Sequence, residues 1–240
     1  STRHIGTNAH ERELMLKSIG YTGMDEFIEA VIPSNILEKK NISIGEQRTE
    51  EEVLEELRKI ATKNKVYKSF IGQGHYNTHT PKVILRNVFE NPGWYTSYTP
   101  YQPEISQGRL EALINFQTMV TDLTGMQLSN ASLLDEATAA AEAMTLAKRA
   151  SKSKSEIFYV DENAFQNTIN ILQTRADPLG IQIKIGPVEQ ASKEECFGVY
   201  IQNPGSDGRI RDYSKLVNVI HSNQGIAVFG TDLLALTLIK

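Results

Sequence analysis

The sequence predicts an α/β fold with a parallel sheet, and the second half of the chain carries the pattern behind this prediction. Four short apolar segments, at residues 157–160, 181–185, 197–201 and 226–229, are separated by polar stretches that include two helical patterns. Strands that alternate with helices form parallel sheets with right-handed crossovers. The 240 residues, 40% of them hydrophobic and 22% charged, suffice for one large domain or two small ones.

The first 65 residues form a separate, polar and helical region in this interpretation. One helix is predicted over residues 11–19, with Gly20 as the residue that terminates it, and a second over residues 24–31. A third helix begins at Thr49, where Glu52 completes a capping box, and its apolar positions follow the 3.6-residue period. We therefore place a helical region at 1–65 and the α/β region at 66–240.

Residues 66–103 are rich in glycine and proline, and eight of these residues are aromatic. One short helix, opened by Thr80-Pro81, is predicted within them. Two longer helices are predicted afterwards, over residues 103–123 and 133–148. A long, weakly regular segment inside a compact domain is uncommon and is often functional.

The segment 95–104 is the densest group of candidate binding side chains. Tyr98, Tyr101 and Glu104 lie here among prolines, which restrict the backbone and so position the side chains in advance. Such a segment would line a small polar cleft. The alternative is a rigid surface loop whose tyrosines pack against a neighbour, and the spacing alone does not decide between the two.

Ser132 and Asp232 are candidates at predicted element ends. Ser132 precedes a predicted helix whose N-terminus could bind an anion, but Asp135 and Glu136 already place negative charge there. We therefore expect Ser132 to cap that helix. Asp232 follows the last apolar strand, where parallel sheets bind ligands, and it could equally cap the segment after it.

Composition excludes several classes of protein. A formal net charge of -4 argues against an electrostatic nucleic-acid binder. The single cysteine, Cys196, cannot form an internal disulfide, as is typical of intracellular proteins. No apolar run approaches the roughly 20 residues of a membrane span. His75 and His79 lack a third nearby ligand, so we expect no metal site.

Several long blocks resemble the glycine decarboxylase family, the P-proteins of the glycine cleavage system, and the resemblance covers essentially the whole chain. The blocks that carry it most clearly are Asn91-Pro92-Gly93-Trp94-Tyr95, Tyr98-Thr99-Pro100-Tyr101-Gln102-Pro103-Glu104, Gln107-Gly108-Arg109-Leu110-Glu111 and Asn130-Ala131-Ser132-Leu133-Leu134-Asp135-Glu136-Ala137-Thr138.

The resemblance implies the large domain of a fold-type-I, aspartate-aminotransferase-like enzyme that depends on pyridoxal phosphate. In that family glycine loses CO2 on the cofactor, and the aminomethyl group passes to the lipoyl arm of the H-protein. These proteins consist of two homologous halves, on one chain or two, and assemble as homodimers or heterotetramers. This chain resembles the beginning of the N-terminal half, so its expected partners include the C-terminal half or a second P-protein subunit. The expected location is the bacterial cytoplasm, or the mitochondrial matrix in a eukaryote.

The resemblance also shapes what we expect of the candidate residues. The resemblance implies that the cofactor is bound through the C-terminal half, where the family's cofactor lysine lies in a His-Lys-Thr context. That context is absent here, so the isolated chain is expected to be inactive. Phe165-Gln166-Asn167 replaces the family's usual His-Pro-Gln, which makes a separate cofactor site in this half less favoured. Ser132 and Asp232 would then occupy inherited cofactor-binding positions without binding a cofactor in this chain.

Two interpretations of the chain's role follow. In the first, Tyr98, Tyr101, Glu104 and Gln107 help to complete the active-site cleft by orienting the reacting groups. In the second, this half is a non-catalytic scaffold and subunit interface. A pyridoxal-phosphate enzyme of another family is a third, minor alternative.

Overall fold

The computed structural model describes residues 5–40, 43–96 and 99–239. The chain divides into two compact units, Ser1–Val66 and Tyr67–Lys240. The assignment of 66–240 to the first part of a larger domain stays a prediction, because compactness does not show what a unit belongs to.

The described residues of the first unit form three helices, and two of these helices begin with the hydrogen bonds of a capping box. These helices are α1 (Ala9–Ser18), α2 (Met24–Val31) and α3 (Glu50–Ala61). Before α3, the backbone N–H of Thr49 donates to Glu52 over 2.8 Å, and that of Glu52 donates back to the Thr49 hydroxyl over 3.3 Å. The predicted capping box is therefore confirmed.

The second unit opens with a segment of short helices. Residues Lys82–Ile84 (α4) run into a wider helical turn at Leu85–Phe89, and Pro92–Tyr95 (α5) follows. The long helix α6 spans Gln107–Thr124, and the left-handed Gly125, with φ of 68°, ends it as predicted. None of the described residues between 67 and 136 is buried.

Two predicted helix starts in this segment are wrong. Pro81 lies just before the short helix, as its cap, rather than at its first position. The long helix begins at Gln107 rather than at residue 103, because the backbone at Ser106, with φ of -107° and ψ of 20°, is not helical. Residues 102–106 therefore form a separate turn, in which the N–H of Ile105 and that of Ser106 donate to the Gln102 carbonyl.

The predicted parallel sheet is confirmed. Its strands are β1 (Ile157–Asp161), β2 (Gln182–Gly186), β3 (Gly198–Gln202) and β4 (Ile226–Gly230). They lie in the order β2-β1-β3-β4, and every neighbouring pair is parallel. The helices around them are α7 (Glu136–Ala150), α8 (Gln166–Ala176) and α9 (Ser214–Ser222).

Both faces of the sheet are covered, because alternate strand residues point to opposite sides. On one face Phe158 and Val160 pack with Met144 of α7 and Leu172 of α8. On the other face Tyr159, Val199 and Ile201 pack with α9 and with the 3-10 helix Val188–Lys193. In the described part of the chain, no helix is both long and apolar enough to span a membrane.

The expected role of Ser132 is wrong. Helix α7 begins at Glu136, and Asp135 caps it by accepting the Thr138 N–H over 2.7 Å. No strand precedes this helix among the described residues 125–135. Asp and Ser have comparable preferences for the N-cap position. Because residues 125–135 are not helical, Asp135 rather than Ser132 lies where the backbone becomes helical.

Candidate functional site

The carboxyl ends of the four strands meet at one edge of the sheet, where parallel α/β sheets bind ligands. Asp161 ends β1, Gln202 ends β3 and Gly230 ends β4. Asp161 and Gln202 are buried, with 0% and 3% of their surface exposed. Buried polar groups at such an edge are candidates for function, and their hydrogen-bond partners decide whether they are free to bind a ligand.

Gln202 fills the edge on the face covered by α7. Its amide oxygen accepts the Tyr200 hydroxyl over 2.7 Å, and its amide nitrogen donates to Glu136 over 2.8 Å and to the Gly230 carbonyl over 3.2 Å. Burial of the Tyr200 ring raises the pKa of its hydroxyl, so this group stays a neutral donor. The chain's own side chains thus occupy the space beside β3 and β4.

On the opposite face, two loops join at the carboxyl ends of β1 and β3. The Asp161 carboxylate oxygen Oδ1 accepts the Asn163 N–H over 2.9 Å, and the Asn163 carbonyl accepts the Ser206 N–H over 2.8 Å. Asn203 binds the backbone of Arg211 through both ends of its amide. These bonds fix the loop after β1 against the loop after β3.

The structure places Asp232 directly after β4, as predicted, and shows that it caps a helix. Its carboxylate accepts the Ala235 N–H over 3.0 Å at the start of the 3-10 helix Leu233–Thr237. Asp232 is exposed, and Ser132 is exposed as well. Of the two roles left open for Asp232, the structure shows the cap.

Three of the four candidate cleft residues, Tyr101, Glu104 and Gln107, are described by the structure, and all three are exposed. Tyr101 has 86% of its surface exposed, and Glu104 and Gln107 are exposed as well. No hydrogen bond of the Tyr101 or Glu104 side chain joins it to another described residue. Tyr98 lies outside the described residues. The roles proposed for all four stay predictions.

A cleft that the sequence reasoning missed lies beside Gln107. It has a volume of about 340 Å³, and Trp94 and Arg109 are among the residues that line it. The others are Asn91, Gly93, Gly108 and Ala112. Tryptophan and arginine in one cleft suit an anionic or aromatic group, and both residues belong to blocks that carry the family resemblance.

The glycine-rich turn at residues 72–75 packs against Phe165, the N-cap residue of α8. Gly74 has φ of 81°, and a Cβ added there would lie 3.0 Å from the Phe165 ring. His75 is 3.5 Å from the side-chain amide of Asn167. The described residues hold no group of three or more His, Cys, Asp or Glu side chains that could bind a metal.

The residues at this edge do not fit pyridoxal phosphate. A pyridine ring needs open space beside the sheet and a carboxylate free to pair with its nitrogen. Gln202 and Glu136 occupy the space beside β3 and β4, and one oxygen of the Asp232 carboxylate is engaged as a helix cap. Phe165, which could stack on such a ring, is covered by Gly74.

Comparison with known proteins identifies the class to which this fold belongs. The structure is similar to a solved glycine decarboxylase, the P-protein of the glycine cleavage system in inhibitor-bound form. The TM-score is 0.81 at 30% sequence identity, over 98% of this chain and 54% of that one. The fold is therefore that of the predicted fold-type-I α/β enzymes.

The family model of the glycine cleavage system P-protein matches residues 2–240. This chain belongs to that family. It is 56% identical over 237 residues to the glycine dehydrogenase (decarboxylating) of Xanthomonas oryzae pv. oryzae, and 54% and 53% identical to those of Xylella fastidiosa and Paraburkholderia phytofirmans. The chain spans about a quarter of the length of these relatives, 24% in each case.

Proposed function

We propose that this chain forms part of a glycine decarboxylase. The complete enzyme would release CO2 from glycine and pass the remaining aminomethyl group to the lipoyl arm of the H-protein. The observation that supports this most strongly is the match of the P-protein family model over residues 2–240. Because the relatives named for this activity are about four times as long, the proposal concerns the whole protein.

The cofactor of the complete enzyme would be pyridoxal phosphate, which supplies an electron-accepting ring for the bond cleavage. The sheet edge of this chain is filled by Gln202 and Glu136, so the cofactor would be bound by another part of the protein. The bacterial sources of the relatives favour a cytoplasmic location.

Within such an enzyme, the segment 98–107 would help to form the substrate cleft. Tyr101 and Glu104 have their polar groups free of bonds to other described residues, so they are available to a partner surface or a substrate. Tyr98 and Gln107 would contribute on the same segment. The tyrosine hydroxyl can donate to a carboxylate, and Glu104 can accept from an amine.

The first prediction concerns Tyr101 and Glu104 in the complete enzyme. We expect Tyr101→Phe and Glu104→Gln each to lower kcat/KM for glycine decarboxylation at least about tenfold, which corresponds to about 1.4 kcal/mol of lost transition-state stabilisation. Tyr67→Phe is the matched control, since Tyr67 is 76% exposed in the same aromatic segment. Wild-type kinetics in both test variants would remove these residues from the cleft.

A second function, as a scaffold and subunit interface, is favoured by a different observation. The described residues 67–136 have no buried member, although they carry large apolar side chains such as Phe70 and Ile105, which are 91% and 81% exposed. Surfaces of this kind mark interaction sites. The partner would be the rest of the enzyme or a second P-protein subunit, in a homodimer or a heterotetramer.

A further inference from the structure

Asp161 is a buried carboxyl group with one oxygen that has no partner. It ends the central strand β1, and none of its surface is exposed. Its Oδ1 atom accepts both the backbone N–H and the side-chain amide of Asn163, over 2.9 and 3.3 Å. Its Oδ2 atom is buried and has no hydrogen bond to any described residue. Such an atom in a native core needs an explanation.

The position of Asp161 links it to two loops at once. Asn163, which Asp161 holds, accepts the Ser206 N–H through its carbonyl. Gly205 approaches the same residue so closely that an added Cβ would lie 2.9 Å from the Asn163 Cβ atom. The loop after β1 and the loop after β3 therefore depend on the Asp161–Asn163 contact for their mutual fit.

The positive charge that acts on Asp161, that of Arg211, is already engaged. The Arg211 guanidinium donates to both carboxylate oxygens of Asp207, over 3.3 and 2.5 Å. A second acid, Glu189, faces Asp161 from the 3-10 helix after β2 and opposes its ionisation. The other ionisable groups that interact with Asp161 are Tyr159, Tyr200 and Tyr213, and burial raises the pKa of each of these hydroxyls.

An ionised Asp161 would thus be a buried charge with one oxygen unsolvated and no counter-ion of its own. Burying an unpaired carboxylate costs far more free energy than burying a neutral carboxyl with one unmade bond. Burial accordingly raises the pKa of Asp161, and Glu189 acts in the same direction, while the bonds from Asn163 and the charge of Arg211 act against it.

We propose that Asp161 is a protonated latch between the loop after β1 and the loop after β3, and that its ionisation releases these loops from each other. This inference does not depend on the proposed enzymatic activity. It assigns to the carboxyl edge of the sheet a proton-dependent change in local order, in residues 161–165 and 203–211.

The sign of the pH dependence follows from linkage. An acid whose pKa is higher in the folded than in the unfolded state stabilises the fold below its unfolded pKa. This contribution is lost as the pH rises through the pKa of the folded state. The loops should therefore be closed at mildly acidic pH and open progressively as the pH is raised.

The test is hydrogen exchange of the full-length protein, followed by mass spectrometry between about pH 5 and about pH 9, the range in which buried carboxyl groups titrate. Wild type, Asp161→Asn and Glu162→Gln are compared at each pH, so that the intrinsic pH dependence of exchange cancels. Asparagine keeps the shape of the side chain but cannot ionise. Glu162, the exposed neighbour of Asp161, is the matched control for the loss of one carboxylate.

In wild type and in Glu162→Gln, we expect the protection of peptides covering 161–165 and 203–211 to fall by up to about tenfold per pH unit as the pH rises from the open-state pKa of Asp161 to its raised pKa in the closed state, and to level off above that pKa. In Asp161→Asn it should be independent of pH. Parallel pH profiles in wild type and Asp161→Asn would overturn the proposal. If Asp161→Asn does not fold, wild type alone decides: a fall confined to these peptides, with none at residues 172–180, supports the latch, and a uniform or absent fall refutes it.

Discussion

At the scale of single residues, the closest approaches in the sheet decide which side chains are tolerated. A Cβ at Gly230 would lie 2.0 Å from the Tyr200 hydroxyl and 2.8 Å from the Gln202 amide oxygen. Only a residue without a side chain fits at position 230, because the hydrogen-bonded side chains of Tyr200 and Gln202 occupy the adjacent space.

The second prediction follows from this crowding. Gly230→Ala should destabilise the full-length protein by at least about 1–3 kcal/mol, the usual cost of overpacking, because Tyr200 and Gln202 must both move. Thermal unfolding measures this. Gly108→Ala is the control, since nothing lies within 4 Å of a Cβ added there. Equal unfolding temperatures for the two variants would show that the edge of the sheet can rearrange at no cost.

At the scale of elements, the helices that cover the sheet pack against each other through apolar side chains. The position of a residue around its helix decides whether its side chain is buried. Met144 of α7 is fully buried with Leu172 of α8, whereas Leu146, two residues along the same helix, is 64% exposed. Two residues correspond to about 200° of rotation around a helix, which carries a side chain from the core to the surface.

The third prediction uses this pair. Met144→Ala should destabilise the protein by about 2–5 kcal/mol, because it leaves a cavity under the sheet. Leu146→Ala, the matched control, should change the free energy of unfolding by less than about 0.5 kcal/mol. Both are measured by denaturant unfolding of the full-length protein. A larger effect at Leu146 than at Met144 would mean that a partner covers the outer face of α7.

At the scale of the whole molecule, burial is distributed unevenly within the second unit. The described residues 67–136 contribute nothing to either core, whose members lie between Ala137 and Ile220. Aromatic side chains are exposed in this stretch: Tyr67, Phe70, Tyr76 and Phe89 at 76%, 91%, 69% and 63%. The proposed scaffold and interface role predicts that other polypeptide covers this stretch.

The fourth prediction tests whether these contacts exist in the complete enzyme. Chymotrypsin should cut the isolated 240-residue chain faster within 67–136 than within 137–239. In the full-length protein, the same sites should be cut at least about tenfold more slowly, because covered sites are cleaved only from a rare open state. Equal rates in the two proteins would contradict the scaffold and interface role.

The sequence by itself determined the architecture of residues 157–230. Short apolar runs located all four strands to within one residue at each end, and their alternation with helices predicted a parallel sheet, because helices then cover both of its faces. Local chemistry also fixed particular ends: Thr49 and Glu52 bond to each other whatever surrounds them, and Gly125 adopts the left-handed conformation that ends α6.

Tertiary structure decided the site. Ser132 and Asp135 are both good caps by sequence, and only the path of the chain before α7 selects Asp135. Glu136 and Gln202 are 66 residues apart, so no local pattern shows that they meet and fill the sheet edge. The isolation of Asp161 likewise depends on which groups fold around it, because hydrogen-bond satisfaction and desolvation are properties of a three-dimensional neighbourhood.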